Sequence, residues 1–146
     1  MHRVPIKSVR EIVTVAGVGP SPTLVALAEM DRAHIYCLRA RKLLRTVQGW
    51  TGVCSHDGRW GLAAPQRGGL DLLDMKKGGE VVRTLLQRKG SGVFKVIARF
   101  TRTDQHILYY QSGTKAICLF RRDGTQLAEY LIQVYAVTVS LKGAGN

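Results

Sequence analysis

The sequence predicts an all-β chain built from repeated four-stranded antiparallel units, on three observations. The apolar residues alternate with polar ones or run in short blocks, without the i, i+3, i+4, i+7 spacing of a helix face. The 16 glycines fall largely between those blocks, where tight turns need a positive φ. One succession of strand and turn signals then returns along the chain at a spacing of about 40–45 residues. An apolar content of 45% over 146 residues is enough for one folded domain with a core.

The first unit is assigned to residues 9–47. Its strands are expected at Val9–Val15, Thr23–Leu27, His34–Leu38 and Lys42–Val47, with Gly17–Pro22 as the first turn and Asp31-Arg32 in the second. The second unit, 50–86, carries the clearest signals. Val53–Ala64 is a hairpin around Asp57-Gly58, a pair that supplies the positive φ of a tight turn. Gly68-Gly69 leads into Leu70–Asp74, and Gly78-Gly79 leads into Glu80–Leu85. The third unit, 93–132, repeats this pattern 47 residues on: Phe100–Gln105 matches Val53–Gly58, Ile107–Gln111 matches Trp60–Ala64, and Ile117–Arg121 matches Leu70–Asp74. Its remaining turns are Ser112–Lys115 and Asp123-Gly124, and Gln126–Tyr130 is its fourth strand. Residues 133–146 are read as the stub of a fourth unit, with one strand at Tyr135–Ser140.

Four short strands per unit at this period describe propeller blades. The expected fold is therefore a partial β-propeller of about three four-stranded antiparallel blades plus a terminal strand. Three blades fall short of the four or more that close a ring. Two apolar blade faces are then left open, and the chain is expected to self-associate or to belong to a larger propeller.

Segments 53–86 and 100–132 resemble WD-repeat blades in the order of strands and turns. The Trp-Asp pair of that family stands here as Leu73-Asp74 and Phe120-Arg121, and the Gly-His pair that usually opens a blade is absent. The chain is also similar to the C-terminal propeller of the NACHT and WD-repeat domain-containing proteins. That similarity is carried by Val96–Phe100, Ile107–Tyr110 with Ser112-Gly113, and Phe120-Arg121 before Asp123-Gly124. It implies a scaffold or signalling-assembly role and a fragment or truncated form, since the family's NTP-binding module is not present. It transfers no catalytic residue.

Composition narrows the function further. The 22 Lys and Arg against 10 Asp and Glu give a formal charge of +12, which favours anionic partners without naming one. Cys37, Cys54 and Cys118 are odd in number and widely spaced, which fits small apolar side chains in a reducing compartment better than disulfides or a metal set. His2, Arg3 and Lys7 precede the apolar stretch Ile12–Val18, but Glu11 abuts it and a strand accounts for it, so a cytoplasmic location is expected.

No catalytic, cofactor or metal residue is assigned. Lys89–Gly92 has its Lys before the Gly and no helix after it, unlike a phosphate loop. His56 and His106 flank the first turns of two blades and are read as surface histidines. Ser55-His56-Asp57 are consecutive, and neighbours on a strand point to opposite sides.

The basic residues cluster near the third turns and fourth strands, with a further pair at Arg88 and Lys89 between blades. Arg39, Arg41, Lys42, Lys76, Lys77, Arg121 and Arg122 form a candidate partner-binding rim. Such a rim would dock an acidic protein, an anionic membrane surface or RNA; equally, Lys and Arg guard exposed sheet edges. The expected function is a protein-interaction scaffold, with RNA or anionic-surface binding as the alternative.

Overall fold

The computed structural model describes residues 3, 10–65, 69–87, 96–111 and 116–132. Among the described residues, twelve strands form three four-stranded sheets, each an antiparallel meander. Blade one holds β1 (Thr14–Gly17), β2 (Leu24–Ala28), β3 (Arg32–Cys37) and β4 (Lys42–Gln48). Blade two holds β5 (Trp50–Cys54), β6 (Trp60–Ala63), β7 (Leu70–Asp74) and β8 (Glu80–Leu86). Blade three holds β9 (Val96–Phe100), β10 (His106–Gln111), β11 (Ala116–Arg121) and β12 (Gln126–Leu131). The strand Tyr135–Ser140, the turn Ser112–Lys115 and the segment Lys89–Gly92 lie outside the described residues.

Side-chain alternation explains how the sheets stack. In β2, Leu24, Ala26 and Ala28 are buried while Val25 and Leu27 are only half-buried. The even-numbered set joins Ala33, Ile35 and Val47 of blade one and Ala63, Leu73 and Met75 of blade two in one apolar cluster. Leu62, Leu70, Leu72 and Leu85 of blade two join Ala98, Phe100, Ile107, Tyr109 and Phe120 of blade three in another. Blade two is thus buried on both faces, which is why Leu70-Asp71-Leu72-Leu73 reads as an almost continuous apolar run. Tyr109 and Phe120 pack edge to face, with centroids 6.4 Å apart. None of the three cysteines forms a disulfide, and all three are half-buried. Cys37 and Cys54 pack against the first cluster, and Cys118 against the second.

In each blade the pairing of the third and fourth strands slips its register, at Ile35/Tyr36, at Leu70/Asp71 and Leu72/Leu73, and at Leu119/Phe120. Such irregularities increase local twist. Another lies in β5, where Thr51 and Gly52 fall between the paired Trp50 and Val53. The Thr51 hydroxyl donates to Leu62 O (2.6 Å) and accepts from Val53 N–H (3.2 Å), so the interrupted ladder keeps its partners.

Two expectations shift. The first strand runs Thr14–Gly17 rather than Val9–Val15, because Thr14–Gly17 pair in register with Val25–Ala28. The first hairpins of blades two and three superpose with an offset of 46 rather than 47 residues. Ser55 N–H donates to Trp60 O and Thr101 N–H to His106 O; Gly58 N–H donates to Ser55 O and Asp104 N–H to Thr101 O. Asp104 (φ 61) therefore holds the left-handed position that Gly58 (φ 74) holds in blade two.

First and third turns of every blade share one end of the sheets, here termed the turn end. The second turn of blade one and the link from blade one to blade two share the other.

Candidate functional site

The antiparallel meander fixes where the basic residues go. Arg39, Arg41 and Lys42 lie in or beside the third turn of blade one, between β3 and β4. Lys76 and Lys77 lie in the 3₁₀ turn Met75–Lys77 between β7 and β8, and Arg121 and Arg122 lie at the close of β11. All seven are at the turn end. Six are exposed; Arg122 is half-buried.

Four acidic residues of this end are engaged locally, while Glu80, which opens β8 beside the 3₁₀ turn, is exposed. Asp57 accepts from the Ser55 hydroxyl (2.6 Å) and Arg59 N–H (2.9 Å), and these two bonds hold its carboxyl below the usual range. Asp74 caps the 3₁₀ turn through Lys76 N–H (3.0 Å) and receives Arg59 Nε (3.2 Å). Asp123 accepts from Thr125 N–H (2.9 Å), which keeps its carboxyl low. With these four carboxylates held in turns, Glu80 is outnumbered by the six exposed Lys and Arg of the rim, and the outward charge of this end is positive.

Three polar contacts join blades two and three at the turn end, one of them from the Arg83 guanidinium of β8 to Asp123 O. The Asp104 carboxylate reaches from blade three into the first turn of blade two. It accepts from His56 N–H (3.0 and 2.9 Å) and lies 2.7 Å from His56 Nδ1, with Asp57 N–H at 3.4 Å. Burial opposes its charge, but the His56 backbone, the His56 ring and the Asp57 backbone outweigh that and hold its carboxyl low. Arg122 of blade three lies over the Trp60 ring at 5.5 Å, and Arg59 lies over the same ring at 4.9 Å. Trp60, Arg59, His56 and Asp104 were not among the rim residues read from the sequence. The signal that could have pointed to them was weak: a Trp flanked by Arg at the mouth of a hairpin.

A second polar cluster sits at the opposite end, in blade one. Glu29 Oε2 accepts from Arg32 Nε (2.6 Å) and lies 2.7 Å from His34 Nε2; His34 Nδ1 lies 3.1 Å from the Thr46 hydroxyl. Arg10 N–H donates to Glu29 Oε1 (3.0 Å), and the Arg10 guanidinium reaches Asp31 (2.8 Å). The Arg10 backbone bond, followed by those from Arg32 and His34, outweighs burial and holds the Glu29 carboxyl at about 2. The hydroxyl–imidazole–carboxylate order resembles a hydrolytic relay, but His34 is only 3% exposed, so substrate has no approach to the ring. Its role is to satisfy buried polar groups. Ser55 and His56 do not meet either: the Ser55 hydroxyl bonds Asp57 and the His56 ring faces Asp104. Among the described residues, no three His, Cys, Asp or Glu converge to hold a metal ion. No helix among them is long and apolar enough to cross a membrane.

With this architecture established, comparison with known proteins decides the family. The family profile described as the NWD2 C-terminal β-propeller matches residues 1–146. The chain belongs to that family. Among solved structures, this NWD2-type propeller is similar to the WD40 domain of SCAP from fission yeast, at 12% identity and a TM-score of 0.56, over 89% of this chain and 34% of that one. It is also similar to the dihydro-heme d1 dehydrogenase NirN in complex with DHE, at 20% identity and a TM-score of 0.53, over 78% of this chain and 26% of that one. At such identities the likeness is one of fold. The NWD2-type chain thus spans about a third or less of these solved chains. No curated protein matches it.

Proposed function

We propose that the chain is a non-enzymatic protein-interaction scaffold, part of a larger cytoplasmic signalling or assembly protein, and that its turn end docks an acidic protein segment. WD40-type propellers generally mediate protein interactions, and the family match supports that class. The observation that carries the finer reading is the partition of charge. Asp57, Asp74, Asp104 and Asp123 are spent on turns and on the inter-blade contact, while Arg39, Lys42, Lys76, Lys77 and Arg121 face outward against the single exposed, unbonded acid Glu80 among the described residues of this end. Single-stranded RNA would also need open aromatic faces beside the charge. Trp60, the aromatic ring described at this end, is already covered by Arg59 and Arg122.

The test is fluorescence anisotropy with a labelled twelve-residue Asp/Glu peptide, titrated against the full chain at several salt concentrations. Reversing Lys76, Lys77 and Arg121 to Glu is expected to weaken binding about tenfold or more, with a steep loss in salt. Arg122 is left in place because it packs on Trp60. Unchanged affinity, or tighter binding of an RNA of the same length that depends on the same residues, would overturn the reading.

A further inference from the structure

The first turns of blades two and three follow one rule. In both, the left-handed residue faces the first turn of the preceding blade. Gly58 of blade two comes so close to Gly19 of blade one that a Cβ would stand 2.7 Å from Gly19 O. Asp104 of blade three uses its carboxylate instead and bonds the backbone N–H groups of His56 and Asp57 of blade two. The first turn of blade two is therefore a carboxylate socket, filled from the next blade. Its donors are two successive backbone N–H groups and the His56 ring.

Blade three carries the same turn. The bond closing it runs from Asp104 N–H to Thr101 O at 2.9 Å, as Gly58 N–H runs to Ser55 O at 2.9 Å. The hydroxyl bridge is also repeated: His106 N–H donates to Thr101 Oγ1 (3.3 Å) as Trp60 N–H donates to Ser55 Oγ (2.9 Å). By this register Arg102 stands where His56 stands, and Thr103 where Asp57 stands. Both are exposed, and neither has a bonded partner among the described residues. Arg102 places a guanidinium where blade two has an imidazole. Arg121 and Arg122, at the close of β11, lie at the same end of the blade, where Arg121 pairs with His106 and Arg122 Nη2 is 3.5 Å from the Gln105 side chain of the first turn.

We infer that the first turn of blade three is a preformed carboxylate socket, built from the Arg102 and Thr103 N–H groups and the Arg102 guanidinium, that receives an Asp or Glu side chain of a protein partner. This deepens the reading of an acidic partner at the turn end and rests on it. The socket gives that partner a point of register. Backbone donors and a guanidinium bind a carboxylate directionally, whereas the lysines of the rim act as diffuse charge.

The experiment follows the backbone amides of the full chain by ¹H–¹⁵N NMR as the same Asp/Glu peptide is added. The Arg102 and Thr103 amide protons are expected to move downfield. Those of His56 and Asp57, already bonded to Asp104, are expected to stay. Arg102→Pro removes both the N–H and the guanidinium at a turn position that tolerates proline, and Arg102→Ala removes only the guanidinium. Arg102→Pro is expected to weaken peptide binding about tenfold relative to Arg102→Ala, the loss of a charge-assisted bond. If Arg102→Pro disturbs the fold, the amide shifts of the unmodified chain decide alone. Still amides at 102 and 103, or equal affinity of the two variants, would overturn the socket. If the Lys76, Lys77 and Arg121 reversals still weaken binding in that case, the acidic-partner reading survives it. If no peptide binds, both fall.

Discussion

Glu29 shows at the scale of one residue how a carboxylate can be buried and charged together. Its two oxygens take a backbone N–H from Arg10, a guanidinium N–H from Arg32 and the His34 ring, and its carboxyl is held at about 2. The unfolded value is near 4.3, as an approximate peptide reference. The stability that Glu29 contributes is therefore complete above that value and is lost as pH falls toward 2. Thermal melts across this window should show the midpoint falling with acid. In Glu29→Gln the midpoint should already be lower at neutral pH and change less below about pH 4.3. Asp57, Asp104 and Asp123, also held low, leave some acid slope in the variant. An unchanged slope in Glu29→Gln would refute this account. None of this cluster was legible in the sequence. Glu29, His34 and Thr46 lie on a turn and two strands, and only the pairing of His34 with Thr46 across β3 and β4 brings them together.

Turns and strands were more legible than contacts between them. Asp57-Gly58, Gly78-Gly79 and Asp123-Gly124 announce tight turns, and Gly58, Gly78, Gly79 and Gly124 all have positive φ. The one-residue slip in matching the two hairpins has a clear cause. Asp104 adopts a left-handed backbone without being glycine, so nothing local in the sequence marks it as the counterpart of Gly58. The third-turn basic groups were visible as a run of Lys and Arg, but the carboxylates that balance or avoid them were not, because His56 and Asp104 are 48 residues apart. Two nearby glycines, Gly49 in the link between β4 and β5 and Gly52 within β5, test how much a positive-φ position owes to backbone angle and how much to room. Gly52 (φ +79) has open space at its Cβ position, so Gly52→Ala should cost about 1–2 kcal/mol, the left-handed penalty alone. Gly49 (φ +68) would place a Cβ 2.1 Å from Ala64 O, so Gly49→Ala should cost more than about 3 kcal/mol. Urea unfolding of both variants checks the order. Equal losses would mean that the Gly49–Ala64 approach relaxes freely.

At the scale of the molecule, the asymmetry between the two faces of blade three governs behaviour in solution. Ile107, Tyr109 and Phe120 are buried against blade two. On the opposite face, Ile97 pairs with Tyr110, Leu108 with Leu119, and Ile117 with Tyr130, and Ile97, Leu108 and Tyr130 remain exposed. A sheet face of this kind favours association. Sedimentation velocity should show concentration-dependent self-association of the full chain, and Leu108→Lys should shift it toward the monomer. A monomer at every concentration would count against the proposal.

The apolar clusters lie between the sheets, and this makes cooperativity a matter of neighbours. No blade owns a core; each holds half of one or two. Folding order then passes from sheet to sheet as a chain of pairwise couplings, and the middle blade, coupled on both sides, is the last to come apart. Damage to Met75 or Leu73 is felt in blade one as well as blade two, and damage to Leu62 or Leu72 in blade three as well as blade two. The unit repeated along the sequence is the blade, but the unit that melts is the seam between blades.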